Sequence, residues 1–308
     1  MARAYASTIL DAPVEAVWDV VRDFNGLPSW NPAIARSEIE DGLDSDVVGC
    51  VRRFWLRDGP MVRERLLSLS DRDYSFTYNF ETPAFPVKNY VARMQLMPVT
   101  DGNRTFAEWE AVFDEAPEDA GKYVEIISKG VFQGGWDALK PVVAGRAAPS
   151  GTKRWAGFPP NKVWCSTVLD GSADAVWQVI RDFAGMGDWH DAITQMHMID
   201  GARSDKVSGT RDFRFDTNHL NEKLLHLDDT GRSFSYFITK CDTPWMHYVS
   251  GARLWPVTDG DRCFGSWTGD WLASPQDDLE LIPFATNEVY LKAFRTVGAR
   301  FLKGASGR

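Results

Sequence analysis

The chain has 308 residues, which is enough for about two domains of ordinary size. It contains no apolar run long enough to span a bilayer, and its N-terminus lacks the apolar core of a signal peptide, so neither membrane insertion nor export is predicted and a cytoplasmic location is expected. The net charge of −9 and the absence of basic runs argue against binding to nucleic acid or to an anionic membrane surface.

The first predicted elements are a strand over residues 4–10 and a helix directly after it. Asp11 is a candidate N-cap, with Pro13 in the first turn of the helix. Apolar side chains then recur at helical spacing, which predicts one buried stripe formed by Val14, Val17, Trp18 and Val21. A second short helix is expected to end near Trp30.

A meander of strands and one long helix follow. Five strand-like runs are separated by Asp, Gly and Pro turns, as antiparallel hairpins would be: residues 49–56, 61–69, 74–80, 89–97 and 105–113. The acidic stretch over residues 38–46 is interpreted as a solvated loop. A long helix is predicted over residues 117–143, and its counterpart later in the chain over residues 275–302.

The second half of the chain repeats the first. Residues 17–34 and 176–193 agree at 10 of 18 positions at an offset of 159, and the sequence Pro-Val-Thr-Asp-Gly occurs at both 98–102 and 256–260. Residues 146–160 are rich in Gly, Pro, Ser and basic residues without an apolar period, which is typical of a linker. The sequence therefore predicts two domains, repeat 1 over residues 1–145 and repeat 2 over residues 161–308.

This order of elements predicts an α+β helix-grip fold in each repeat. In such a fold a curved antiparallel sheet wraps around the C-terminal helix and leaves a cavity between them. The residues that carry a family resemblance are Pro13, Val17-Trp18, Phe24, Trp30, Glu64-Arg65-Leu66, Asn89-Tyr90 and the strand from Trp109 to Phe113. With them the chain resembles the START-like (SRPBCC) superfamily of the polyketide cyclase/dehydrase type. The tandem arrangement is similar to that of the didomain aromatase/cyclases of aromatic polyketide pathways.

A second resemblance concerns the strands near the cavity. Residues 49–53 and 64–66 look like the matching strands of the abscisic-acid receptors. That resemblance implies that Glu64 and Tyr90 contact polar groups of a ligand.

Aromatic side chains are expected to form the cavity walls. The chain contains thirteen tryptophans, and large rings both fill cores and line pockets for flat ligands. Because side chains alternate between the faces of a strand, one set points inward. The candidate ligand-binding residues are Arg52, Glu64, Tyr78, Tyr90 and Trp109 in repeat 1, and Trp189, Phe213, Tyr236, Trp267 and Trp271 in repeat 2.

An inward arginine and an inward glutamate accompany these rings in both repeats. Arg52 shares a face with Phe54, and Glu64 lies on the next strand; Arg211 and Glu222 repeat this arrangement. Two interpretations stay open: a buried structural ion pair, or groups whose pKa values are adjusted for acid/base chemistry.

Histidine distinguishes the repeats, because all five histidines lie in repeat 2. His190 follows Trp189 at the expected mouth of the cavity, and strand alternation predicts that His226 lies on the same face as Glu222. Histidine is well suited to proton transfer near neutral pH, so repeat 2 is the better candidate for chemistry. The candidate catalytic residues are Arg211, Glu222, Tyr248, His190 and His226.

Two functions remain as alternatives. The first is a cofactor-independent lyase, dehydratase or cyclase acting on an aromatic or phenolic small molecule; the second is a non-catalytic carrier or sensor of an aromatic or lipid ligand. No metal and no cofactor are expected, since the chain has no metal-ligand spacing, no phosphate-binding loop and no dinucleotide-binding motif. A hydrophobic small molecule is the expected partner, and a homodimer is left open.

Overall fold

The computed structural model describes residues 1–149 and 161–302. The chain divides into two compact units, Met1–Pro98 with Asn103–Phe158 and Val99–Gly102 with Pro159–Arg308. Apart from Val99–Gly102, the units correspond to the two repeats, and each repeat is an α+β domain built on a seven-stranded antiparallel sheet. The predicted linker falls, from residue 150 onward, outside the described residues.

Repeat 1 contains the predicted strands and one more. Its strands are β1 Ala2–Leu10, β2 Ile34–Ile39, β3 Val51–Leu56, β4 Met61–Ser70, β5 Ser75–Thr82, β6 Lys88–Val99 and β7 Arg104–Asp114. They pair in the order β1-β7-β6-β5-β4-β3-β2, so the N-terminal strand joins the last strand of the meander.

Repeat 2 reproduces this topology strand for strand. Its strands are β8 Val163–Leu169, β9 Ile193–Met198, β10 Thr210–Phe215, β11 Asn218–Asp228, β12 Ser233–Lys240, β13 Met246–Val257 and β14 Arg262–Leu272. The order is β8-β14-β13-β12-β11-β10-β9, and the helix-grip fold predicted for both repeats is confirmed.

The first helix of each repeat carries the predicted buried stripe. These helices are α1 Val14–Val21 and α4 Ala173–Ile180, each followed by a short turn of helix, Leu27–Ser29 or Gly185–Asp188. The expected N-cap at Asp11 is wrong. The extended Pro13 is the N-cap of α1, and no side chain of residues 1–149 or 161–302 caps that end of the helix, whereas Ser172 caps α4 through its hydroxyl.

The long C-terminal helix of each repeat consists of three segments. In repeat 1 these are α2 Lys122–Glu125, a π-helical segment Ile126–Gln133 and α3 Gly134–Val143. In repeat 2 they are α5 Pro275–Phe284, a π-helical segment Ala285–Leu291 and α6 Lys292–Leu302. Among the described residues, no helix is long and apolar enough to cross a membrane.

A polar clamp fastens the first helix to the β4–β5 turn in repeat 1. The indole Nε1 of Trp18 donates to Asp71 Oδ1 at 2.8 Å, and Arg22 Nε donates to the same oxygen at 2.7 Å. Trp177, Arg181 and Asp229 repeat this arrangement in repeat 2, where these two donors lower the pKa of Asp229 to about 2.

Candidate functional site in each repeat

Each repeat encloses a cavity between its sheet and its C-terminal helix. The cavity volume is about 100 Å³ in repeat 1 and about 40 Å³ in repeat 2. In repeat 1 all five predicted ligand-binding residues line the cavity: Arg52, Glu64, Tyr78, Tyr90 and Trp109. In repeat 2 the predicted residues that line it are His190, Phe213, Glu222, Tyr236, Tyr248 and Trp267.

Three buried residues predicted for the site of repeat 2 do not line this cavity. Trp189 lies at a separate, open hollow with Arg300. Trp271 stacks on Tyr248 with ring centroids 5.7 Å apart, and its indole donates to Asp278 Oδ1 at 2.9 Å. Arg211 is buried against Glu222. Trp271 and Arg211 therefore support residues of the cavity wall without forming it.

The predicted inward orientation of His226 is wrong. The pairing of β11 with β12 shifts between Leu224 and His226, a β-bulge that places one extra residue in β11. Beyond the bulge the inward and outward positions exchange, so His226 is exposed and its Nε2 forms a hydrogen bond with Ser233 Oγ at 3.3 Å. The bulge recurs in repeat 1 between Leu66 and Ser68.

The inward arginine and glutamate form a buried ion pair in each repeat. In repeat 1, Arg52 Nε donates to Glu64 Oε2 at 2.7 Å, and Nη1 donates to the carbonyl oxygen of Phe24 at 2.6 Å. In repeat 2, Arg211 Nε donates to Glu222 Oε2 at 2.8 Å. The four side chains of the two pairs are 2–6% exposed. The guanidinium groups are thus committed to structure, tying the sheet to the segment after the first helix.

In each glutamate, one of the two carboxylate oxygens takes no part in the ion pair. All the hydrogen bonds that Glu64 and Glu222 accept from described residues go to Oε2, which leaves Oε1 without a donor. Burial raises the pKa of both carboxyl groups, and the neighbouring arginine opposes this effect. Each cavity therefore presents a carboxylate oxygen that can accept a hydrogen bond or a proton from a ligand.

The phenols near the glutamates are arranged differently in the two repeats. In repeat 1 the indole of Trp109 donates to the Tyr78 hydroxyl at 2.9 Å. In repeat 2 the Tyr248 hydroxyl is hydrogen-bonded to that of Tyr290, which extends from the π-helical segment. Burial raises the pKa of Tyr248 well above its usual value, so this phenol keeps its proton and is not a base.

Gly269 makes room for the additional hydroxyl in repeat 2. A Cβ at this position would lie 2.2 Å from Tyr290 Oη. At the matching positions repeat 1 has Ala111 and Phe132, which lacks the hydroxyl. Gly269 and Tyr290 therefore form a matched pair.

His190 occupies the position of Asn31 and makes the same local contact. The backbone N–H of Ala192 donates to His190 Nδ1 at 3.3 Å, as that of Ala33 donates to Asn31 Oδ1 at 3.0 Å. Nδ1 thus has no proton in the neutral ring, and Nε2 carries it. His190 is 2% exposed, and its Nε2 is buried without a partner among the described residues.

Sequence reasoning did not single out two polar residues of this cavity. Thr243 and Trp245 lie in the connection between β12 and β13, where strand alternation assigns no face. Both line the cavity of repeat 2, and Thr243 Oγ1 and Trp245 Nε1 are buried and have no hydrogen-bond partner in the part of the chain that the structure describes. A comparison of the two repeats could have identified these residues, because repeat 1 has Phe85 and Val87 at the same positions.

Comparisons with solved structures found matches over about half of this chain or over nearly all of it. The protein XoxI from Bacillus cereus is 28% identical, covering 47% of this chain and 97% of its own, with a TM-score of 0.42. A putative uncharacterized protein from Bacillus thuringiensis is 27% identical over 46% of this chain and 98% of its own, with a TM-score of 0.42. The di-domain ARO/CYC BexL from the BE-7585A biosynthetic pathway covers 97% of this chain and 98% of its own at 11% identity and a TM-score of 0.41.

The family assignment rests on a different comparison. The family model described as polyketide cyclase / dehydrase and lipid transport matches residues 1–144 and again residues 162–300. These two matches cover one repeat each and together most of the chain. The chain therefore belongs to the polyketide cyclase/dehydrase and lipid transport family, of which it carries two tandem copies.

Proposed function

We propose that this protein is a cofactor-independent cyclase, dehydratase or lyase acting on an aromatic or phenolic small molecule in the cavity of repeat 2. The observation that carries the proposal is a carboxylate oxygen, Glu222 Oε1, in the same aromatic-lined cavity as the Tyr248 hydroxyl. Family membership supports this class of reaction, since the family includes cyclases and dehydrases.

Glu222 and Tyr248 would divide the work of a dehydration. For a β-hydroxy ketone, Glu222 takes the proton from the carbon next to the carbonyl group. Tyr248, accepting a hydrogen bond from the Tyr290 hydroxyl, donates its own proton in a hydrogen bond to the carbonyl oxygen. The carbon–oxygen bond of the hydroxyl group then breaks, and the proton held by Glu222 joins the departing hydroxide to give water. The carboxylate is restored, and the product is an unsaturated ketone. Arg211 acts through Glu222, whose Oε2 it holds.

The surroundings favour this chemistry. Tyr236, Trp267 and Phe213 line the same cavity, and an apolar wall that excludes water strengthens hydrogen bonds to a developing negative charge. Because burial raises the pKa of Glu222, this carboxylate is a stronger base than an exposed one.

The carrier function stays as the second candidate because of repeat 1. Its cavity is larger, about 100 Å³, and Phe85 and Val87 occupy the positions of the polar residues Thr243 and Trp245 of repeat 2. Such a cavity suits an apolar ligand that is bound without conversion, and the family description also names lipid transport.

Incubation with a panel of aromatic β-hydroxy ketones, followed by chromatography and mass analysis, tests the proposal. We expect loss of water from at least one substrate and a rate about 100-fold lower in Tyr248→Phe. Tyr90→Phe, the same change in repeat 1, is the matched control and should retain the rate. Binding of the panel without any product would reject the enzyme in favour of the carrier.

A further inference from the structure

Three polar atoms around the cavity of repeat 2 are buried without a partner among the described residues. They are His190 Nε2, Trp245 Nε1 and Thr243 Oγ1, and all three residues line this one cavity. His190 is 2% exposed and Trp245 is 9% exposed. Burying an unsatisfied polar group costs free energy, so three such groups around one space point to an occupant that satisfies them.

The chemistry of the three groups defines what that occupant must offer. The Trp245 indole can only donate, and His190 donates from Nε2 because its Nδ1 already accepts from Ala192. The Thr243 hydroxyl can donate or accept. The occupant must therefore present acceptor atoms, which on an aromatic molecule are most simply carbonyl oxygens.

The charge of the cavity wall favours a ligand with neutral acceptor atoms over an anionic ligand. Among the described residues that line the cavity of repeat 2, Glu222 is the acidic one, and no lysine or arginine accompanies it. Arg211 lies behind Glu222 and is already paired with it. Burial lowers the pKa of His190, which keeps the ring neutral near pH 7. A ligand carboxylate would enter an apolar space beside Glu222 with no free cation to pair with it.

Repeat 1 lacks this set of donors. Phe85 and Val87 replace Thr243 and Trp245, and Asn31, the counterpart of His190, does not line the cavity. The donors are therefore not required by the fold, since repeat 1 builds the same sheet and helix without them.

We propose that the cavity of repeat 2 recognises an uncharged aromatic carbonyl compound through hydrogen bonds from His190 Nε2 and Trp245 Nε1, with Thr243 Oγ1 binding a further polar substituent. This inference rests on the proposed aromatic ligand of repeat 2 and specifies its class. It predicts that the aryl ketone is preferred over both the aryl carboxylate and the oxygen-free hydrocarbon of the same shape.

Binding of three probes of one shape tests the inference: acetophenone, α-methylstyrene, in which a methylene group replaces the carbonyl oxygen, and benzoate. Affinities are measured by calorimetry on the full chain, for the unmodified protein and for Trp245→Phe and Thr243→Val. Trp255→Phe is the control, because Trp255 belongs to repeat 2 but lies outside the cavity, packed on Phe264. Comparing ketone with hydrocarbon across variants isolates the hydrogen bond from the loss of ring area.

We expect Trp245→Phe to reduce the ratio of acetophenone to α-methylstyrene affinity about 10-fold, the usual scale of one buried hydrogen bond, and Trp255→Phe to leave it unchanged. Benzoate should bind at least about 10-fold more weakly than acetophenone. Thr243→Val conserves shape and provides a second variant should Trp245→Phe fail to fold; with 4′-hydroxyacetophenone as the probe, it should lower affinity several-fold.

The outcomes separate this inference from the proposed function. An unchanged ratio in Trp245→Phe would mean that water serves the buried donors; the carbonyl site would then be wrong while the aromatic cavity stands. Benzoate binding more tightly than acetophenone would overturn the preference for a neutral ligand. No binding of any probe would reject the inference together with the aromatic cavity on which it depends.

Discussion

The two repeats are one scaffold with two different interiors. Both keep the buried arginine–glutamate pair and the clamp of tryptophan, arginine and aspartate. They differ around the cavity, where Thr243 and Trp245 of the wall and Tyr290 behind it correspond in sequence to Phe85, Val87 and Phe132 of repeat 1. The comparison indicates which charged groups stabilise the fold, since these are duplicated, and which polar groups we propose to bind a ligand, since these occur in one repeat.

The two cavities also differ in volume, and the residue differences just named explain part of this. Trp245 packs against Tyr248 with ring centroids 4.9 Å apart, in a position where repeat 1 has only a valine. The cavity of repeat 2 is therefore smaller and carries more polar groups. A small space with several donors suits selective binding of one small ligand, whereas a larger apolar space suits less selective binding.

The largest expected effect concerns what the repeats share. Arg52→Met and Arg211→Met should each destabilise their repeat by about 3–5 kcal/mol, because each leaves a buried carboxylate without its partner. Denaturant unfolding measures this loss. The control is Arg53→Met, an exposed pair with Glu38, which should change stability by less than about 1 kcal/mol. Similar losses in all three variants would show that burial of the pair does not matter.

A smaller effect is expected from the matched pair of repeat 2. Gly269→Ala should cost about 1–3 kcal/mol, because the new methyl group meets the Tyr290 hydroxyl. The double variant Gly269→Ala with Tyr290→Phe recreates the Ala111 and Phe132 of repeat 1 and should recover part of the loss. Thermal unfolding of the single and double variants decides this. If Tyr290→Phe gives no recovery, the steric explanation is wrong.

The smallest expected effect is a pH dependence specific to repeat 2. Burial, aided by Lys292, lowers the pKa of His190 in the folded protein below 6.5, against the opposing effect of Asp191 and Asp216. As the pH falls below about 6.5, the unfolded chain therefore binds more protons than the folded protein. The free energy of unfolding should decrease from about pH 6.5 toward the lower pKa of His190 in the folded state. His190→Asn, which introduces the residue of repeat 1, should weaken this decrease. Melting temperatures between pH 5 and 7 measure it, with His226→Asn as the exposed control.

Much of the fold could be predicted because the sequence repeat and the alternation of inward and outward side chains along each strand can be recognised in the sequence alone. The strand β2, however, was missed, because Ile34–Ile39 is an edge strand with few buried side chains and an acidic end that favours a loop interpretation. The π-helical segments give no signal in the apolar spacing of the long helices. Asp11 was expected as a cap because its residue type is suitable, but the helix begins only after Pro13.

The site was predictable only where the strands are regular. Glu222 and Tyr248 line the cavity as alternation predicts, while the bulge after Leu224 places His226 on the other face. A bulge is set by pairing with the neighbouring strand and is not visible in one strand alone. Trp245 lies between strands, where the path of the chain decides which way a side chain points.

The central claim is that the two repeats share a structural pair but only repeat 2 uses it for chemistry. The most direct test is to compare Glu64→Gln with Glu222→Gln, measuring melting temperature and the rate on a converted aromatic substrate, below both melting temperatures. We expect similar losses of stability in the two variants, a rate about 100-fold or more lower in Glu222→Gln, and little change in rate in Glu64→Gln. Equal rate losses in the two variants, or a loss in Glu222→Gln that only follows the fraction unfolded, would contradict the account.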